Sequence, residues 1–309
     1  MSENIDNQLI LPGICFCSVM SFASLGFLAA VVREIVKHQV PKKRKQALWK
    51  YVATPFNISL IVMAFSQIIL YASEAIILSW FFDTSQPQLR TISRAVRSCC
   101  ISMFNLTYLY YSYVRTYPII EQEFPTVVWP VWFLTMLASL VTIIPMTCRT
   151  VLIWSSYPKL FDIIYNASIS MFGSLNIIDL VFLLTFIKHL HKTKTDGRTV
   201  DKHFTIISQY GIASIMVYSV LTGLDIIYVI TYNEAYLLAV ESMITFIFLI
   251  LVAMKIALRK EKEKELSRRK SRVETARRQS MGGHTVRSQD TMVSEGTDGQ
   301  GKTVISNTE

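Results

Sequence analysis

The chain has 309 residues, is 51% apolar and carries a formal charge of +9, with a mean hydropathy of +0.37. A soluble domain intersperses apolar with polar residues, whereas here the apolar ones form long uninterrupted blocks, which excludes an ordinary water-soluble core. The basic residues lie in short segments between these blocks and just after the last one, which excludes nucleic acid as partner and points to the anionic inner leaflet of a lipid bilayer.

The first eight residues, MSENIDNQ, are acidic, and the run after them is too long for the core of a cleaved leader, so helix one is expected to insert and stay. The apolar runs are Leu9–Val32, Thr54–Trp80, Ala95–Tyr117, Thr126–Thr147, Ile163–Ile187, Phe204–Thr231 and Ala235–Ala257. Each is long enough to cross about 30 Å of hydrocarbon. Helix is the element such runs adopt, because an open strand leaves its backbone unsatisfied in lipid. The expected fold class is therefore an all-α membrane protein, a seven-transmembrane helix bundle spanning residues 9–257. Residues 1–8 form a short extracellular segment and 258–309 a cytoplasmic tail.

Helix three is the weakest span by hydropathy, since Arg90, Arg94 and Arg97 open it and tyrosines fill it. Charge parity retains it. With seven spans, and counting as far as Arg278, 24 Lys and Arg lie on one side of the bilayer and 5 on the other. Basic loops stay in the cytoplasm, so the N-terminus faces out and the C-terminus in. Omitting helix three would flip the clusters at Lys188–Lys202 and Lys255–Arg278 outward. On a helix, Asn105, Tyr108, Ser112 and Arg115 follow 3, 4, 3 spacing, which is one face, and that face is expected to turn inward.

Polar residues within the spans are the candidate site. Glu74, Arg94, Arg97, Asp225 and Glu241 share the outer third of four helices, reckoned at about 1.5 Å of rise per residue. An ionised group in lipid costs about 2.5–3.5 kcal/mol or more, so these should face one another or a wet cavity. Two readings stand: a ligand pocket open to the exterior, or a structural knot of salt bridges and snorkelling side chains. Asp179 lies nearer the inner end of helix five, placed for an interhelical hydrogen bond or for a basic or cationic partner. Arg115 closes helix three, either as a topological anchor or as a switch residue tied to an acid at rest.

Cys99, Cys100 and Cys148 lie toward the exterior, where a disulfide and free buried thiols are both open readings. No cysteine has zinc spacing, so no metal is expected. The histidines are scattered over loops and tail and form no catalytic cluster, and no cofactor or enzymatic activity is expected. After Ala257 interleaved Glu and Lys predict an exposed helix, with disorder from Met281 onward. Ser271 and Ser280 each follow two arginines in the spacing basophilic kinases read.

Seven helices, an outside N-terminus, basic inner loops, a Ser/Thr-containing tail and an arginine closing helix three together resemble a G-protein-coupled receptor. By similarity, Arg115 with Tyr117 occupies the place of the receptors' Asp/Glu-Arg-Tyr motif, with Val114 where the acid belongs. Helix six has no Cys-Trp-x-Pro and helix seven no Asn-Pro-x-x-Tyr, so the similarity is to a divergent member. The resemblance implies a plasma-membrane protein that senses an extracellular small-molecule or peptide ligand and couples to a heterotrimeric G protein. A small-solute or ion transporter is the alternative, favoured by the polar residues in helices two, five and six. A retinal protein is excluded, because Lys255, at the inner end of helix seven, is the only lysine in that span.

Overall fold

A computed structural model describes residues 2–39, 54–79, 87–154, 159–195, 202–231 and 233–286. Among the described residues seven α-helices follow in order: α1 (Ser2–Gln39), α2 (Pro55–Ser79), α3 (Pro87–Glu123), α4 (Val128–Trp154), α5 (Lys159–Thr195), α6 (Lys202–Thr231) and α7 (Glu234–Val286). A 3-10 turn, Pro125–Val127, joins α3 to α4, and the described residues contain no strand. Six helices are long and apolar enough to cross a membrane, which marks a multi-pass membrane protein; α3 is the one that falls short. Their outward faces agree: Phe22, Phe133, Leu140, Met216 and Ile230 are all more than half exposed, a surface suited to lipid rather than water.

The chain forms two compact units, Met1–Leu258 and Arg259–Glu309. In the first unit α3 packs against α2, α4 and α5, so it is sheltered by other helices on several sides. That position explains its composition. A helix wrapped by protein does not need lipid-grade apolarity, and its polar groups find partners instead. Asn105, Tyr108 and Ser112 are all buried, so the 3, 4, 3 stripe does turn inward, and Arg115 is half-buried below it. Side-chain bonds tie neighbours together: Ser102 Oγ donates to Thr142 O at 2.9 Å between α3 and α4, and Asn176 Nδ2 to Ser219 Oγ at 3.1 Å between α5 and α6. At Gly13 a Cβ would come within 3.0 Å of Leu78 Cδ1, so the missing side chain lets α1 approach α2 closely.

The helices outrun the expected boundaries. Helix α3 begins at Pro87, where the missing N–H is harmless, and continues through Pro118 to Glu123 rather than stopping at Tyr117. Helix α1 also takes in Ser2–Gln8, so the segment before Leu9 is itself helical. In the second unit the predicted basic helix is present, braced by Arg259–Glu263 at 2.8 Å and Lys264–Glu261 at 3.7 Å. It reaches Val286, so Met281–Val286 is helical rather than disordered; the expectation for 287–309 lies outside the described residues. The basic loop after α1 from residue 40, and residues 196–201 of the basic segment expected at Lys188–Lys202, likewise lie outside them.

Candidate functional site

Three of the five charged residues expected to cluster do meet. Arg97 of α3 places Nη1 2.8 Å from Glu74 Oε2 of α2 and Nε 4.0 Å from Glu241 Oε1 of α7. All three side chains are sealed from solvent. Arg97 can serve two acids because α3 lies beside both α2 and α7 at this level, and a guanidinium presents its donors as a rigid fork. Beneath this triad the α2–α7 seam is closed by hydrogen bonds. Tyr71 Oη lies 3.1 Å from Glu241 O and 2.5 Å from Thr245 Oγ1, and Gln67 Nε2 donates to Ile244 O at 3.4 Å.

Asp225 is not part of the triad. It lines a cavity of about 40 Å³ together with residues of α3, α4, α5, α6 and α7. Asp225 is 5% exposed, and Oδ2 has no hydrogen-bond partner among the described residues. Arg97 lines the same cavity, so the triad and Asp225 share a border. The other cation on the wall is Arg149 of α4, half-buried, with no carboxylate among the described residues within 4 Å. Phe172 and Val240 supply apolar wall, and Tyr228 lies near Asp225 one turn along α6. Arg94 is half-buried one turn before Arg97 and does not line the cavity.

Lower along α3 a second polar network crosses to α5 and α6. Tyr108 Oη donates to Asp179 Oδ2 at 2.5 Å. The ring of Tyr108 lies 5.0 Å from that of Tyr218, whose hydroxyl donates to Asn105 Oδ1 at 3.3 Å. Asn105 in turn points Nδ2 at Met171 Sδ, 3.5 Å away. Asn105, Tyr108, Asp179 and Tyr218 are all buried, so these bonds form where no water competes.

Arg115 continues the stripe at the inner end of the polar face of α3. Among the described residues no carboxylate lies within 4 Å; Nη1 lies 3.0 Å from Met254 Sδ, and the guanidinium stacks 5.6 Å from the Tyr111 ring and 5.4 Å from the Phe186 ring. Arg115 is thus enclosed by soft and aromatic groups of α3, α5 and α7. Ser112, one turn above, accepts from Thr116 Oγ1 at 2.8 Å through its carbonyl.

Compared with protein-family models, curated proteins and solved structures, the chain matches none.

Cys99, Cys100 and Cys148 are free thiols, Cys100 buried and the other two half-buried. Among the described residues no group of three His, Cys, Asp or Glu side chains is placed to hold a metal ion. Ser271 is exposed on the helical tail with Oγ donating to Arg268 O at 3.1 Å; the side chain of Ser280 lies outside the described residues.

Three participants, Arg149, Tyr71 and Tyr218, escape a reading of the sequence. Arg149 falls among the loop charges when the fourth span ends at Thr147, whereas α4 runs to Trp154. Gln67 and Tyr71 follow 4, 3 spacing with Glu74 on α2, a signal of one polar face that the sequence does carry. Tyr218 precedes Asp225 by two turns on one face of α6, a similar signal hidden by its aromatic ring.

Proposed function

We propose that the chain is a seven-span, receptor-like protein of the plasma membrane, N-terminus outside, that senses a small extracellular ligand and couples to a heterotrimeric G protein. The observation that carries this reading is the continuous polar column along α3. It links the Arg97–Glu74–Glu241 triad and the Asp225 cavity to the Tyr108–Asp179–Tyr218 network, and ends at the caged Arg115. A column of this kind gives one helix discrete bonded partners on α2, α5, α6 and α7. A ligand that favours one arrangement at the cavity then biases the others.

Seven spans are supported by the burial of α3's polar face, which removes the objection that its hydropathy is low. With α3 inserted, the basic clusters share one side of the bilayer, as topology requires. In the mechanism we infer, ligand entry displaces α6 relative to α3, the Tyr108–Tyr218 contact transmits the shift, and Arg115 leaves its cage to face the cytoplasmic partner. The test is nucleotide exchange on purified heterotrimeric G proteins by the full chain in lipid nanodiscs. Exchange that is lost in Arg115→Ala at unchanged surface expression supports the reading.

A transporter is the second reading because two buried acids, Asp179 and Asp225, lie on the helices that line the interior. Solute flux in liposomes without exchange on any G protein would select it.

A further inference from the structure

The charges that line the Asp225 cavity are mismatched in a way that specifies a ligand. Asp225 is almost fully buried and leaves Oδ2 without a hydrogen-bond partner among the described residues. A buried carboxylate oxygen in that state is costly and normally acquires a donor. Across the cavity Arg149 is the complementary charge, yet the two do not approach within 4 Å. Both residues therefore line the same small space with no ion pair between them.

We propose that this space binds a small zwitterion, its ammonium on Asp225 and its carboxylate on Arg149. This rests on the ligand-sensing reading above and narrows it to one ligand class. A lone cation fits poorly, because two guanidiniums line the wall and no three acidic, His or Cys side chains converge among the described residues. A lone anion would satisfy Arg149 but leave the Asp225 carboxylate bare and repelled. A molecule bearing both charges completes both partners, and a guanidinium accepts a carboxylate through two parallel bonds. The volume of about 40 Å³ is far below the 300 Å³ or more typical of drug-sized pockets, so the ligand is short, on the scale of a small amino acid. Phe172 and Val240 add apolar wall to the cavity, against which a short aliphatic body would pack.

The test compares charge patterns on the full wild-type chain in nanodiscs by thermal unfolding. The probes are glycine, β-alanine and 4-aminobutanoate against ethylammonium and acetate. At saturating concentration at least one zwitterion should raise Tm by about 5 °C while both singly charged probes leave it unchanged. Asp225→Asn and Arg149→Gln should each weaken that zwitterion roughly 30-fold or more. No shift with any zwitterion, an equal shift with ethylammonium or acetate, or full affinity retained in either folded variant overturns the proposal. If a variant fails to fold, the wild-type comparison decides alone. Zwitterion binding without nucleotide exchange keeps this site and rejects the receptor. Exchange triggered by another ligand, with no zwitterion binding, keeps the receptor and rejects this site.

Discussion

Arg97 and Glu74 meet at 2.8 Å with side chains 6% and 1% exposed, while Glu241 stands off from the same guanidinium at 4.0 Å. The two acids are therefore not equivalent. Removing one member of a buried hydrogen-bonded pair costs about 3–5 kcal/mol, because the remaining charge keeps its desolvation penalty. Glu74→Gln is expected to lower the Tm of the purified chain by roughly 6 °C or more. Glu241→Gln should lower it less, since the 2.8 Å bond between Arg97 and Glu74 survives. Equal losses in the two variants, measured by thermal unfolding in one detergent, would contradict the geometry.

The Tyr108–Asp179 bond links α3 to α5 in the interior. Interhelical hydrogen bonds in membrane proteins contribute about 0.6 kcal/mol on average and up to about 1.7. The 2.5 Å separation and full burial place this bond toward the upper end, so a double-mutant cycle of Tyr108→Phe and Asp179→Asn should give a coupling of about 1–2 kcal/mol. If the bond also relays the ligand signal, Tyr108→Phe should change basal nucleotide exchange as well. A coupling near zero would mean the pair is not bonded in the membrane.

Topology is open to direct measurement. Epitope tags before Ser2 and after Glu309 in intact cells should be accessible at the N-terminus only. Both tags on one face would remove α3 from the bilayer, since an even number of spans returns the chain to its starting side. Glycosylation sites engineered into the α2–α3 and α4–α5 connections should then be used, and one in the α5–α6 loop should not.

Ser271 lies on a continuous helix with its hydroxyl already bonded to the carbonyl of Arg268. A kinase that binds substrate in extended form must first open this turn. Phosphorylation of the full chain by a basophilic kinase is expected at Ser271, to vanish in Ser271→Ala, and to speed up several-fold when Arg272→Gly loosens the helix. A rate that is indifferent to Arg272→Gly would show that the turn already opens freely.

Much of the architecture can be read from the chain alone, for a physical reason. A bilayer imposes length and apolarity on each span, so six helices declare themselves by composition. The inward stripe of α3 is legible because helical periodicity places Asn105, Tyr108, Ser112 and Arg115 on one face whatever surrounds it. Ends are less legible. Pro118 and Pro145 suggest boundaries, yet the helices run on through them to Glu123 and Trp154.

Which polar groups touch is decided only by tertiary structure, because contacts between helices depend on rotation and depth that local sequence does not encode. Sequence places Glu74, Arg97, Asp225 and Glu241 at one level; packing puts three of them into a triad and leaves Asp225 on the wall of a neighbouring cavity that Arg149 also lines. Likewise Arg115 is marked by its position at the end of a polar face. Its enclosure by Met254, Tyr111 and Phe186 follows from where α5 and α7 come to rest against α3.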